Sequence, residues 1–126
     1  MHQLVKVVDL SNNLFKGPLP TAISRLVHLR ELKLKRNSFF GEIPRSIGKC
    51  AQLRILNLGE NQFSGGIPDT ISGLKNLVSL NLQKNELSES IPPALGLMYK
   101  LEVMNFEYNK LSGEIPAVVA NMIKLR

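Results

Sequence analysis

Few residues in this 126-residue chain are of the kinds that make or break bonds in a protein site: two histidines, His2 and His28, and a single cysteine, Cys50. Neither histidine has a Cys, Asp or His at a recurring spacing beside it, so no triad and no metal site assembles. The glycines follow a regular step and not the strand-to-helix pattern of a phosphate loop. Catalysis is not expected, nor is a metal or cofactor. What the chain concentrates instead is charge, with Glu31, Lys33, Lys35 and Arg36 close together behind Arg30. Cations on alternate residues can hold a carboxylate through charge-assisted hydrogen bonds. Further along, Asn57, Asn81, Gln83 and Asn105 supply amides that both donate and accept. Ile55 offers an apolar contact, and Glu107 with Tyr108 an acidic, aromatic end.

These groups act together only if the backbone lines them up, and the sequence contains a device for that. Asparagine recurs at Asn13, Asn37, Asn61, Asn85 and Asn109, and proline at Pro20, Pro44, Pro68, Pro92 and Pro116, both on one constant step. An unbroken period in the range of about 20–29 residues with this leucine spacing is the signature of a solenoid, each repeat being one turn of a coil. Aligned on that step, Val5, Leu29, Leu53, Leu77 and Leu101 form one inward column. Val8, Leu32, Leu56, Leu80 and Met104 form a second, and Leu10, Leu34, Leu58, Leu82 and Phe106 a third. The last two columns lie at alternate positions, which is strand alternation, so one short strand per repeat is expected in a parallel sheet.

Where each strand ends, backbone groups turn inward and need partners, and the asparagine column is read as a structural ladder supplying them. Phe15, Phe39, Phe63, Leu87 and Leu111 fill the bend behind it, and Gly17, Gly41, Gly65 and Gly113 mark a turn. Glu89 breaks that glycine column, which predicts strain and a looser loop in the fourth repeat. An aliphatic-proline pair then precedes Ile23, Ile47, Ile71, Leu95 and Val119, with Leu26, Cys50, Leu74, Met98 and Met122 following at the third position on. That spacing predicts a short helical turn on the outer side and makes Cys50 a buried, inert stand-in for leucine.

Composition narrows the partners. Sixteen Lys and Arg against ten Asp and Glu give a formal net charge of +6, which favours acidic partners. Nucleic acid is not expected, because aromatics are not interleaved with the basic residues. The first residues lack the pattern of a signal peptide, and the longest nearly apolar run, 115–120, is far short of the ~20 residues of a membrane span. A single leucine-rich domain over 1–126 is expected, with five repeats and the start of a sixth at Leu125 and Arg126. Neither end carries an obvious cap, which points to flanking repeats or to self-association through open ends.

The assembled pattern L-x-x-L-x-L-x-x-N-x-[LF]-S-G-x-I-P-x-x-[LI]-G-x-L, with L-S-G-E-I-P at 111–116, resembles the plant-specific class of leucine-rich repeat. That class occurs in the ectodomains of receptor-like kinases and receptor-like proteins and in polygalacturonase-inhibiting proteins. The resemblance implies an α/β solenoid, a right-handed coil with a concave parallel sheet and short helical or 3-10 turns on the convex side. It also implies binding of a peptide or protein outside the cell; a polygalacturonase-inhibitor-like protein and a truncated assembly fragment are the alternatives. Residues between the inward columns face the concave side: Val7, Asp9 and Ser11; Glu31, Lys33 and Lys35; Ile55, Asn57 and Gly59; Ser79, Asn81 and Gln83; Val103, Asn105 and Glu107. This reading places an acidic or C-terminal group of the ligand near Lys33 and Lys35, its backbone on the asparagine row, and a notch at Gly59. Five strands at about 4.8 Å spacing make a face of roughly 300 Å², against about 800 Å² for one side of a standard protein interface. Such a face suits a short peptide.

Overall fold

The computed structural model describes residues 4–117 and 119. His2, Met122 and the expected start of a sixth repeat at Leu125 and Arg126 lie outside them. The described residues contain nine short strands: β1 (Val7–Asp9), β2 (Lys16–Pro18), β3 (Glu31–Lys33), β4 (Ser38–Glu42), β5 (Ile55–Asn57), β6 (Gln62–Gly65), β7 (Ser79–Asn81), β8 (Glu86–Leu87) and β9 (Val103–Asn105). They form two parallel sheets, ordered β1-β3-β5-β7-β9 and β2-β4-β6-β8.

The five-stranded sheet keeps the sequence period as its register, Val8 facing Leu32, Leu32 facing Leu56 and Leu80 facing Met104. Each central side chain of β3, β5 and β7 is buried while its neighbours are half-buried. This is the alternation expected when one sheet face packs on a core. The second sheet corrects the expectation of one strand per repeat. It pairs Gly17 with Phe39 and Gly41 with Phe63, a step shorter than the repeat, so it slips against the first sheet at every turn. The asparagine side chain accounts for the slip, because its Oδ1 accepts from the backbone N–H of Phe15, Phe39 or Phe63 in the preceding turn, at the same shorter step.

The outer side carries 3-10 segments at Thr21–Arg25, Arg45–Lys49, Asp69–Gly73 and Pro93–Leu97. Each follows an extended proline, and each closes when the residue at the leucine position donates its N–H back into the segment, as Cys50 does to Ile47. Segments this short leave no length for a stable α-helix. Cys50 is fully buried, its Sγ 3.5 Å from the carbonyl of Ile23, and burial pushes its thiol pKa up. A thiolate is therefore disfavoured at this site.

Three inward columns behave differently at the first repeat. Leu29, Leu53 and Leu77 are fully buried, but Val5, Leu10 and Phe15 are exposed, and among the described residues the turn that lies against them is the second. Phe15 still stacks on Phe39, and Phe39 on Phe63, with ring centroids 6.5 and 6.3 Å apart. At the fourth repeat Glu89 adopts φ +64°, in the region that Gly41, Gly65 and Gly113 occupy at +84°, +74° and +73°. The turn thus keeps the glycine geometry at a cost of about 1 kcal/mol, and β8 shortens to Glu86 and Leu87.

Candidate ligand-binding face

The open face of the five-stranded sheet presents rows that run across the strands. One row is Val7, Glu31, Ile55, Ser79 and Val103; the next is Asp9, Lys33, Asn57, Asn81 and Asn105. The structure brings Lys33, Lys35 and Arg36 close, but not as free cations. Lys33 Nζ lies 3.3 Å from a Glu31 carboxylate oxygen, and Lys35 Nζ 3.6 Å from Glu60. Arg36 donates to both oxygens of Glu60, from Nε at 3.1 Å and from Nη2 at 3.5 Å. Three cations therefore face two carboxylates, and the cluster is nearly compensated. Glu60 was missing from the sequence-derived face because it belongs to the next turn; stepping forward one repeat from Arg36 would have found it.

Arg36 and Glu60 belong to a special column. Asn12, Arg36, Glu60, Lys84 and Tyr108 all have φ between +55° and +61°, and each precedes a ladder asparagine. The column alternates in sign from Arg36 to Glu60 to Lys84, and Lys84 Nζ then lies 5.8 Å from the centre of the Tyr108 ring. The Arg36 hydrogen bond, followed by the fields of Arg36, Lys35 and Lys84, holds the Glu60 carboxyl below its ordinary value of 4.5, with desolvation opposing. Because the folded pKa is the lower one, this pairing stabilises the fold above pH 4.5 and the contribution is lost as pH falls through the folded value. Arg36→Gln is expected to move the Glu60 titration back towards 4.5, followed by carboxyl NMR. An unmoved titration would place the cause elsewhere.

The amide row is narrower in its chemistry than its composition suggests. Asn57 and Asn105 each turn Oδ1 back onto the next N–H but one, at Gly59 and Glu107, 3.1 Å in both cases. Asp9 does the same with Ser11 at 3.0 Å, which holds its carboxyl low. Asn81 instead donates Nδ2 to the Ser79 hydroxyl at 2.9 Å. Among the described residues, this leaves Asn57 Nδ2, Asn81 Oδ1 and Asn105 Nδ2 without a hydrogen-bond partner, a donor, an acceptor and a donor on adjacent strands. The expected notch at Gly59 is occupied. The amide of Gln83 lies where a Gly59 Cβ would stand, 2.7 Å from it, and the Gln83 Oε1 is buried without a partner. Glu107 and Tyr108 are exposed three strands away from Lys33 and take no part in its cluster.

The ladder asparagines are placed apart from this face and bond backbone. Asn61 Nδ2 donates to the carbonyls of Leu34, Leu58 and Gly59, and Asn37, Asn85 and Asn109 repeat the arrangement in their own turns. Asn13 bonds only within its own turn through Nδ2, to Leu10 and Ser11. One group of residues went unread as a site: Arg30, Gln52, Arg54, Asn76, Val78 and Lys100 line a groove of about 540 Å³ at the edge where the strands begin. Arg54 follows Arg30 by one repeat, and Gln52, Asn76 and Lys100 follow one another likewise, so the period carried the signal. Among the described residues no set of three or more His, Cys, Asp or Glu could hold a metal ion, and no helix is long and apolar enough to cross a membrane.

The solved structures similar to this chain include plant receptor ectodomains. The Arabidopsis receptor kinase HAESA, solved with the peptide hormone IDA and the co-receptor SERK1, is 38% identical over 97% of this chain and 20% of that one, with a TM-score of 0.92. The plant peptide hormone receptor RGFR1, solved with RGF2, is 33% identical over 91% of this chain and 18% of that one, with a TM-score of 0.90. A plant ice-binding protein is 30% identical over 93% of this chain and 38% of that one, at a TM-score of 0.83. The chain spans about a fifth of the length of the two receptors. Comparison with curated proteins returned no match. A leucine-rich repeat region is matched over residues 1–126, and the chain belongs to the leucine-rich repeat family.

Proposed function

We propose that this chain is a non-catalytic binding segment of a plant receptor-like kinase or receptor-like protein ectodomain, working at the cell surface. It takes an extended peptide or a partner's loop across the open face of the five-stranded sheet. The observation that carries the reading is the division of labour along each strand. Leu32, Leu56 and Leu80 repeat and are buried, whereas Glu31, Ile55 and Ser79 beside them differ from turn to turn and face out. A coil needs only the first kind, so the second is free to be selected for a partner. The free donor, acceptor and donor of Asn57, Asn81 and Asn105 can bond a peptide backbone, and Ile55 and Val103 flank them with apolar contacts. The similarity to receptors solved with peptide hormones supports the same use of the coil.

The test is selection of random short peptides on the immobilised chain, followed by an NMR footprint of each binder. Shifts confined to Glu31, Ile55, Asn57, Asn81 and Asn105 and their neighbours are the expected result. A footprint on the 3-10 segments of the opposite side would reject the reading.

A further inference from the structure

The two edges of the open face are built in opposite ways. Along the edge where the strands end, the column alternates as Arg36, Glu60 and Lys84, so the Glu60 carboxylate offsets part of the positive charge and pairs with Arg36. Along the edge where they begin, the corresponding column is Lys6, Arg30, Arg54, Val78 and Glu102. These residues are direct neighbours, for the N–H of Arg30 donates to the carbonyl of Lys6 and that of Arg54 to the carbonyl of Arg30, both at 2.7 Å. Three cationic residues thus immediately precede adjacent strands whose backbones run about 4.8 Å apart, and among the described residues none has a carboxylate within ion-pair distance. Like charges directly opposite one another oppose sheet formation. The groove beside Arg30 and Arg54 adds Lys100, whose Nζ is fixed 2.8 Å from the Asn76 Oδ1 while Asn76 donates to the carbonyl of Ala51 at 3.2 Å.

We propose that Arg30 and Arg54, flanked by Lys6 and Lys100, form a carboxylate-binding site for a short acidic stretch of a peptide ligand. The proposal rests on the reading of the open face as a peptide surface and moves its acid-binding end from Lys33 and Lys35 to the free edge. A guanidinium binds a carboxylate through two parallel N–H donors, and two of them side by side take acidic residues on alternate positions. The occupant is short because the cationic column ends: Val78 is neutral and Glu102 repels. A long polyanion tracking the edge would meet that carboxylate, whereas a peptide can place a neutral or basic residue there.

The test uses a labelled peptide with two aspartates at alternate positions followed by a lysine, its twin with asparagines, and an oligogalacturonate, all titrated at low salt by fluorescence anisotropy. The protein is wild type, Arg30→Gln with Arg54→Gln, or Lys33→Gln with Lys35→Gln, each checked for an unchanged thermal midpoint. The expected result is tighter binding of the aspartate peptide than of its twin, a loss of about tenfold in the arginine variant, and little change in the lysine variant. Loss confined to the lysine variant would overturn the site and keep the peptide face. Equal loss in both variants would overturn it as general attraction to a basic protein. Absence of aspartate-peptide binding by the wild type, with selected peptides still footprinting on the face, would overturn this site alone. Tighter binding of the oligogalacturonate than of the aspartate peptide would overturn the peptide as its occupant.

Discussion

Asn61→Ala lowers the unfolding free energy by about 3–4 kcal/mol, while Asn13→Ala costs about 1 kcal/mol or less. The size of the first follows from what is left unpaired. Asn61 is buried; the two N–H groups of its Nδ2 are shared among three carbonyls at 2.9, 3.2 and 3.0 Å, and its Oδ1 accepts from the N–H of Phe39. The carbonyls keep other donors: Leu34 has Asn37, Leu58 has Asn85, and Gly59 has the N–H of Arg36. The N–H of Phe39 loses the acceptor it is aimed at, and a buried orphan donor costs about 1–3 kcal/mol. The lost bonds and the space left by the amide supply the rest. Asn13 is exposed, and water replaces its partners. Urea midpoints of the two variants against wild type measure the difference, which for Asn61→Ala corresponds to a fall in Tm on the order of 10 °C. Equal midpoints would mean that the ladder is dispensable in the interior as well.

Why the coil could be read from the sequence while its binding chemistry could not is visible at residues 29–43. Leu29, Leu32, Leu34, Asn37 and Ile43 answer to the same constraint in every turn, so repetition exposes them. The second sheet hid within the same stretch. Phe39, Gly41 and Ile43 alternate as strand residues do, but a glycine on the repeat step signals a turn, and Gly41 is both at once, lying in β4 with φ +84°. Face residues fail for the opposite reason. Glu31, Lys33, Lys35 and Arg36 announce charge by their types, yet their electrostatic state is set by partners a whole turn away, such as Glu60. Gly59 likewise looks like open space until Gln83, one repeat on, is laid over it. In a solenoid the spatial neighbours of a residue are its counterparts one period before and after, and a variable position is legible only together with them.

Gly48→Ala makes the same point for the packing of the outer side, and is expected to cost about 2 kcal/mol. Its column reads Ser24, Gly48, Ser72 and Gly96, so nothing in the repeat demands glycine there. The structure does. A Cβ on Gly48 would overlap the carbonyl oxygen of Thr70 and stand 3.1 and 3.2 Å from the Thr70 carbonyl carbon and Cβ. Gly73 faces back in turn, its own Cβ position 3.0 Å from the carbonyl oxygen of Gly48, so the two 3-10 segments touch backbone to backbone. Thr70 cannot simply withdraw, because its hydroxyl is bonded to the carbonyl of Arg45 at 2.7 Å in the turn that holds Gly48. The added methyl must therefore push the turns apart, which strains the leucine columns they share. Overpacking of this kind costs about 1–3 kcal/mol, offset by less than about 1 kcal/mol from the greater stiffness of alanine in the unfolded chain. Gly66→Ala is the control. Its Cβ would also be crowded, 2.8 Å from a Glu89 carboxylate oxygen, but that group is the exposed end of a flexible side chain. It swings aside, and the change should fall within about 0.5 kcal/mol. If the two variants unfold at the same urea midpoint, the close approach of Gly48 and Thr70 does not constrain the coil. If only Gly48→Ala falls, the separation of these two turns is fixed by their backbones.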